Sequence, residues 1–388
     1  MSSRSRLVVL LISGPVVAFA LIGGAMSNAA PRDDAYQPLR MFQDVVSLIL
    51  NNYVEKVDVD HVMDGAMRGL ADGLDPDSAY LTPDEVKAAQ ANAPLPPAGI
   101  GVSITRQYYL RIVAARDGSP AQKAGLLTGD FIRDIDDKPT REMSAWEGER
   151  ALRGQPGSTV KLTIIRGNAA DPHDITVTRA LPSGEAVSGR IQSPGVGYLR
   201  IDVFDKNVAA EITREVKTLE KGGAHELAID VRRSDSGDLA NGLAAARLFV
   251  ASGTLAYKEG KDNPRQAISA GSGDGQIKMP VVLLVDTGTG GPAELFAAAL
   301  AGNHRAQLVG ERTDGRGAEQ SLVLLPDGGG LWLSTSEYLT PAGSPIEEKG
   351  LRPDVFVAGP HVEFGETLPA GDPILDKALS VLTTKPAA

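Results

Sequence analysis

The chain has no cysteine in 388 residues and only five histidines. The absence of cysteine excludes disulfides, thiolate metal sites and a cysteine nucleophile. The histidines are scattered, without the spacing of metal ligands, so the sequence predicts neither a metal site nor another cofactor. They are His61, His173, His225, His304 and His361.

Basic residues are also few relative to acidic ones. The chain has 39 lysines and arginines against 49 aspartates and glutamates, a net charge of -10. Because phosphate binding needs a basic face, this balance argues against a nucleic-acid partner. No internal repeat or low-complexity tract is present, and the length predicts two or three globular domains.

Residues 1–30 have the pattern of an export signal. Two arginines precede an apolar run at residues 7–26, and Ser27 and Ala29 fit a small-x-small cleavage site. The run is also close to the roughly 20 residues that span a bilayer, so an uncleaved inner-membrane anchor is the alternative. Both interpretations place the rest of the chain outside the cytoplasm.

Three regions and a tail follow, separated by breaks that contain proline and glycine. Apolar residues at helical spacing predict a helical region at 37–92. Alternating apolar residues around a short helix at 120–124 predict a compact β-rich module at 97–182. Continuous apolar strands between amphipathic helices predict a mainly parallel sheet, covered on both faces, at 194–360. Residues 370–388 are expected to form a capping helix and a frayed tail.

Eight motifs then occur in a characteristic order. They are LDPDSAYLTPDE, GIGV, SPAQKAGLLTGDFIRDIDDKPT, LRGQPGSTVKLTIIRG, VGYLRIDVF, VDTGTGGPAELFAAAL, LVGERTDGRGAEQ and YLTPAGSPIEEKGLRPDV. Their order and spacing over nearly all of residues 37–384 resemble the C-terminal processing (tail-specific) serine peptidases. The resemblance implies an α/β multidomain protein with an N-terminal helical segment, a β-rich PDZ domain and a crotonase-like α/β peptidase domain. It also implies export to the periplasm or cell envelope and recognition of protein C-termini.

A glycine-flanked turn, Gly99-Ile100-Gly101-Val102, opens the PDZ-like module. Such a turn directs backbone N–H groups at the terminal carboxylate of a peptide, and the strand edge that follows pairs with the peptide. An apolar C-terminal side chain is expected between that strand and the helix at 120–124. The alternative is that these glycines only make a strand turn.

The residues expected to carry out the family's chemistry are replaced. The resemblance implies a serine nucleophile three residues before Glu294, and that position is Gly291. The lysine base of the family corresponds to Arg316, which keeps its proton and cannot act as a general base. Gln320 matches a glutamine that follows the lysine in the family.

The oxyanion positions implied by the resemblance differ as well. The residue after the nucleophile donates its backbone N–H in the family, and here it is Pro292, which has none. The family turn R-N-N-P-G-G reads R-R-S-D-S-G, and its first glycine is Ser236. Gly291, Pro292 and Glu294 suit instead the Ncap, N1 and N3 positions of an ordinary helix that stops at Gly302.

These replacements leave three hypotheses. The first is a pseudopeptidase that binds protein C-termini or unfolded segments, as a scaffold or as a regulator of an active homologue or envelope protein. The second is an active tail-specific endopeptidase that uses Thr289 or Thr287, with Lys349 or His304 as the base. The third is a structural envelope protein with a vestigial groove. The missing serine, lysine and N–H donor favour the first over the second, and the turn favours the first over the third.

Overall fold

The computed structural model describes residues 36–91, 95–167, 171–261, 263–360, 362–366 and 369–384. The predicted signal or anchor at residues 1–30 therefore lies outside the described ranges. The chain divides into two compact units, residues 1–66 and residues 67–388. Within the described ranges no helix is long and apolar enough to cross a membrane.

The N-terminal region contains three helices. It also contains one strand, which the sequence did not predict. The helices are α1 (Tyr36–Asn52), α2 (Val59–Asp72) and α3 (Pro83–Gln90). Helix α3 begins with a capping box, in which Thr82 and Glu85 each accept the backbone N–H of the other. The all-helical prediction for 37–92 is wrong at strand β1 (Ala79–Leu81), a buried run too short to show a period.

The β-rich module is an antiparallel sheet of six strands with two helices. Its strands are β2 (Val102–Gln107), β3 (Tyr109–Ala115), β4 (Phe131–Ile135), β5 (Lys138–Pro139), β6 (Thr159–Ile165) and β7 (His173–Thr178). Its helices are α4 (Pro120–Lys123) and α5 (Ala145–Leu152). The order β2-β3-β4-β6-β7, with β5 on β4, puts β2 at the edge of the sheet. In this part of the described chain, the outer edge of β2 is therefore open to an added strand.

Helix α5 lies close against β2 because residue 148 is glycine. A Cβ at Gly148 would lie 2.3 Å from Leu110 Cδ1 and 2.9 Å from Ile104 Cδ1. The side chain of Ile104 thus faces α5. Because successive side chains of a strand point to opposite faces, Ser103 and Thr105 face the other way, toward the peptidase-like domain.

The mainly parallel sheet predicted downstream is confirmed. Its strands are β8 (Val187–Ser193), β9 (Val196–Ile201), β11 (Glu226–Asp230), β15 (Val281–Val285), β16 (Ala306–Gly310) and β19 (Val355–Phe356). Their spatial order is β19-β16-β15-β11-β9-β8. The four pairs from β19 to β9 are parallel, and only β8 runs antiparallel to its neighbour.

Helices cover both faces of this sheet. They are α6 (Val208–Lys221), α7 (Leu239–Ala246), α8 (Gly291–Gly302) and α9 (Pro373–Thr384). Alternate residues of β11 enter different cores: Leu227 and Ile229 pack with α6, α7 and α8, and Ala228 packs with α9. Two-sided burial explains why the strands are continuously apolar.

A second, antiparallel sheet, which the sequence did not predict, lies beside the first. It joins β1 to β13 (Thr254–Gly260), β14 (Asn263–Ser269), β17 (Ala318–Leu324) and β18 (Gly330–Leu339). A short parallel pair, β10 (Val203–Phe204) with β12 (Ser236–Gly237), connects loops of the core. Strand β17 carries Gln320 and β12 carries Ser236, so these small elements position two of the predicted site residues.

Candidate functional site

The predicted nucleophile position, Gly291, is the first residue of α8, and Gly290 is the Ncap residue. The predicted helix start was therefore one residue late. Gly291 has a φ of +51°, a left-handed backbone that glycine adopts without strain, and the chain turns into the helix there. A Cβ at Gly291 would lie 3.3 Å from Asp235 Oδ1, with its next neighbour at 3.6 Å. A side chain at this position would therefore press on Asp235 and adopt a strained backbone conformation.

Glu294 organises the backbone around this position. It is fully buried, and its Oε2 accepts the N–H groups of Gly291 at 3.1 Å and Arg316 at 2.7 Å. Its Oε1 accepts the N–H of Gly315 at 2.9 Å and the hydroxyl of Thr313. Burial raises the pKa of Glu294 to about 8, and the hydrogen bonds from Thr313, Arg316 and Gly315 oppose that rise. One carboxyl group thus fixes both the nucleophile and the base positions.

Arg316, the predicted base position, is held between two carboxylates. Its Nε donates to Asp77 Oδ2 at 3.1 Å, and its Nη1 donates to Asp235 Oδ2 at 2.5 Å. Burial lowers the pKa of Arg316, but the charges of Asp235 and Asp77 outweigh burial and hold that pKa above its ordinary value. Burial raises the pKa of Asp235 to about 6 despite the attraction of Arg316. We call Arg316, Asp77 and Asp235 the Arg316 cluster.

Sequence reasoning did not identify Asp77 or Asp235 as site residues. In the predicted correspondence, Asp235 takes the proline position of the turn R-N-N-P-G-G and Arg316 takes the lysine position of a distant motif. An acid at one of these positions and a permanent cation at the other were a usable signal for an ion pair. Asp77 lies 239 residues from Arg316 in the chain, and no local pattern marks it.

The remaining predicted positions lie around the cluster. Ser236 Oγ is 3.3 Å from Ser103 Oγ, and the Gln320 side-chain amide donates to Ser334 Oγ at 3.3 Å. Ser236, Gln320 and Arg316 line one groove, whereas Gly291 and Pro292 are buried beside it.

The groove has a volume of about 700 Å³ and joins the Arg316 cluster to the PDZ-like turn. All four predicted peptide-binding residues, Gly99 to Val102, line it. Gly101 has a φ of +80°, and a Cβ there would lie 2.5 Å from Ser119 Cβ, so this position requires glycine. The N–H of Gly99 donates to the Ala180 carbonyl at 3.0 Å, which leaves the later N–H groups of the turn as the candidates for a carboxylate.

The groove wall that faces β2 differs from the prediction that the helix at 120–124 would form it. It is formed mainly by α5, through Ala145, Trp146, Glu149 and Leu152, and not by the helix at 120–124. Of that shorter helix only Pro120 lines the groove. The close packing of α5 at Gly148 explains why the longer helix occupies this position.

Comparison with known proteins agrees with this architecture. Residues 195–357 match peptidase family S41, and residues 111–166 match a PDZ domain. The chain is 33% identical over 316 residues to a carboxyl-terminal-processing protease of Synechocystis, covering 80% of this chain and 74% of the relative. A carboxyl-terminal-processing protease of Picosynechococcus is 31% identical, with 82% and 78% covered.

A solved structure has the same fold. The photosystem II D1 C-terminal processing protease superposes with a TM-score of 0.68 at 26% identity, over 82% of this chain and 92% of that one. The α/β multidomain architecture predicted from the sequence is thereby confirmed. With its PDZ domain, its S41 domain and these relatives, the chain belongs to the carboxyl-terminal-processing protease family.

Proposed function

We propose that this protein is an exported, catalytically inactive member of its family that binds protein C-termini through its PDZ domain. One observation carries the proposal. A guanidinium fixed by two carboxylates occupies the position where the family needs an uncharged amine, while the groove to the PDZ turn stays open.

The chemistry of peptide cleavage explains why this arrangement argues against activity. A serine-type peptidase needs a hydroxyl and a base that removes its proton. Gly291 supplies no hydroxyl, and a guanidinium such as Arg316 cannot be deprotonated in a protein. Pro292 also lacks the N–H that would stabilise the oxyanion, a loss on the order of 2.7–4 kcal/mol in comparable sites.

The placement of the threonines weighs against the displaced-residue alternative. The Thr289 hydroxyl is fully buried, donates to the Val231 carbonyl at 2.9 Å and accepts the Asp286 N–H at 3.0 Å. Thr287 is exposed, but His304 follows the far end of α8, roughly 18 Å along a twelve-residue helix from Gly291. The Lys349 side chain is exposed at the surface.

The size of the groove favours binding over a purely structural role. A volume of about 700 Å³ lies within the roughly 300–1,000 Å³ typical of ligand sites. A turn that requires glycine at residue 101 and an open strand edge add two features that a vestigial groove has no reason to keep.

Export is proposed from the sequence of residues 1–30, whether that segment is cleaved or remains as an anchor. In this proposal the protein works in the periplasm or cell envelope. Its partners are C-termini or unfolded segments of envelope proteins, and it acts as a scaffold or as a regulator of an active homologue.

The test follows the mass and the retention of one substrate. The purified full chain is incubated for a day with an unfolded protein that ends in apolar residues, and with the same protein carrying two added C-terminal aspartates. We expect both masses to stay unchanged and only the apolar-ended protein to co-elute. Cleavage that disappears in a Thr287→Ala variant would instead establish the displaced-nucleophile alternative and overturn the proposal.

A further inference from the structure

A peptide that ends at the turn has its direction fixed by β2. The turn at residues 99–102 precedes β2, which runs away from it to Gln107. A peptide whose carboxylate sits at the turn must therefore pair antiparallel with the open edge of β2. Its upstream residues then pass along the strand toward the Arg316 cluster.

The pleat of β2 separates the side chains of such a peptide into two sets. In an antiparallel pair, residues directly opposite one another point to the same face. The terminal residue and every second residue before it face α5, as Ile104 does. The penultimate residue and the residue two positions before it face the side of Ser103 and Thr105.

That second side is the Arg316 cluster. Thr105 Oγ1 donates to Asp77 Oδ1 at 3.2 Å, and Ser103 Oγ is 3.3 Å from Ser236 Oγ, next to Asp235. The intervening side chains of a bound peptide thus meet the buried carboxylates and not the apolar wall.

The two ends of the groove differ in how their charges are balanced. At the turn, the lining arginines Arg116 and Arg153 each pair with one carboxylate, Asp202 and Glu149 respectively. At the other end, Asp77 and Asp235 share one guanidinium, that of Arg316, and Asp238 adds a third carboxylate to the lining.

This end is therefore short of positive charge. Arg316 is shared by two carboxylates, and a partly buried carboxylate without a cation of its own is unfavourable until one arrives. The raised pKa of Asp235, to which burial and the nearby charges of Asp314 and Asp77 contribute, is consistent with this crowding.

Resting on the proposed function, we infer that the groove selects C-termini in which an apolar last residue is preceded, one or three positions upstream, by lysine or arginine. The terminal side chain fills the apolar side against α5. The basic side chain reaches the Arg316 cluster and supplies the missing positive charge.

The test uses the full chain and fluorescein-labelled ten-residue peptides ending in valine, measured by fluorescence anisotropy. The peptides carry lysine, serine or glutamate at the penultimate position and are otherwise uncharged. We expect the lysine peptide to bind about fivefold tighter than the serine peptide and the glutamate peptide to bind weakest. Lysine moved back by one position faces α5, where the lining carboxylate Glu149 is already paired with Arg153, and it should lose the advantage. A C-terminally amidated peptide should not bind. The preference should shrink in high salt.

Protein variants give the second arm. In an Asp77→Asn, Asp235→Asn double variant, Arg316 loses both carboxylates, and the preference should invert in favour of the glutamate peptide. Asp274→Asn, which removes the partner of Arg247 outside the groove lining, is the matched control and should keep the lysine preference. If the double variant does not fold, Asp238→Asn replaces it, with an expected loss of about twofold in the preference.

The outcomes are separable. Equal binding of the three free-ended peptides, with no binding of the amide, overturns this inference and leaves the proposed function standing. Failure of every peptide to bind overturns both.

Discussion

The two ends of the groove differ in what carries their geometry. At the PDZ turn, the proposed recognition depends on backbone: a left-handed glycine at residue 101 and the edge of β2. At the Arg316 cluster a backbone frame holds the predicted nucleophile and base positions, and in the proposed function the side chains that would perform chemistry are replaced. Because Glu294 holds that frame through main-chain N–H groups, the frame does not depend on the side chains at those two positions. The proposed function therefore separates binding from chemistry within one cavity.

The largest effect is expected when the carboxyl group of Glu294, which holds this backbone frame, is removed. Glu294→Ala leaves the N–H groups of Gly291, Gly315 and Arg316 buried without an acceptor, and we expect the free energy of unfolding to fall by about 3–5 kcal/mol. Urea denaturation at pH 7 measures it. Glu220→Ala, at an exposed site on α6, is the control and should change stability by less than about 0.5 kcal/mol. A loss below about 1 kcal/mol at Glu294 would contradict the assignment.

The second test tries to restore chemistry. A Gly291→Ser, Pro292→Ala, Arg316→Lys variant should remain inactive, because Asp77 and Asp235 would hold the new lysine protonated. Adding Asp77→Asn and Asp235→Asn should raise the cleavage rate by up to about a hundredfold. The reason is that removal of each carboxylate should lower the pKa of the new lysine by about one unit. Intact mass of an apolar-ended substrate is the measurement. Equal rates in the two variants would mean that Asp77 and Asp235 do not hold the new lysine in its protonated form.

The third test fills the peptide-binding end of the groove and leaves the Arg316 cluster unchanged. Ala145 is a partly exposed residue of α5 that lines the groove, and Ala145→Phe should occupy the space of the terminal side chain. We expect the affinity for a C-terminal peptide to fall at least about tenfold, which is about 1.4 kcal/mol, with stability unchanged. Ala209→Phe, on α6 and outside the groove lining, controls for an added aromatic ring. Unchanged affinity would place the peptide elsewhere.

A smaller effect is expected at the nucleophile position. Gly291→Ser should destabilise the fold by about 1 kcal/mol, because a side chain at positive φ is strained. Gly65→Ser, in a helix with open space around it and no positive φ, should be neutral or slightly stabilising. Thermal unfolding of the two variants compares them directly, and equal shifts would argue against strain at residue 291.

The smallest effect concerns pH. Burial raises the pKa of Asp235 to about 6 and of Glu347 to about 7, above those of the unfolded chain near 4. The folded state therefore binds more protons, and stability present below about pH 4 is lost as pH rises through 6 and 7. Because burial raises the pKa of Glu294 to about 8, the loss continues to about pH 8. The raised pKa of Glu347 corresponds to at most about 3 kcal/mol, and because this side chain is partly exposed, solvent screening should reduce the part that Glu347→Gln removes between pH 5 and pH 8 to about 1 kcal/mol. A slope that is unchanged in the variant would exclude Glu347 as its source.

The sequence predicted most of the fold from hydrophobic pattern. The parallel sheet was visible because strands buried on both faces, such as β15, are continuously apolar. The second sheet was missed because strands such as β14 are almost wholly exposed and carry no apolar run. Strand β1 is only three residues long, and its partner β18 lies about 250 residues away, so no local pattern could indicate the pairing.

The candidate site was predicted in part, for a similar reason. Motif positions singled out Gly291, Pro292 and Arg316, because a departure from a motif is visible in the sequence, and the structure places these residues beside one groove. What the replacements do depends on contacts between distant segments. The contacts of Arg316 with Asp77 and Asp235 join three segments that are far apart in the sequence. They form only when these segments have folded together, so no single motif predicts them.

The arrangement around Glu294 has a consequence for the history of the chain. A catalytic serine or lysine that also held the loops in place could not be replaced without unfolding the site. Here the carboxyl group of Glu294 anchors the two loops by their main chain. A side chain at position 291 or 316 can thus be exchanged without removing the hydrogen bonds that hold these loops.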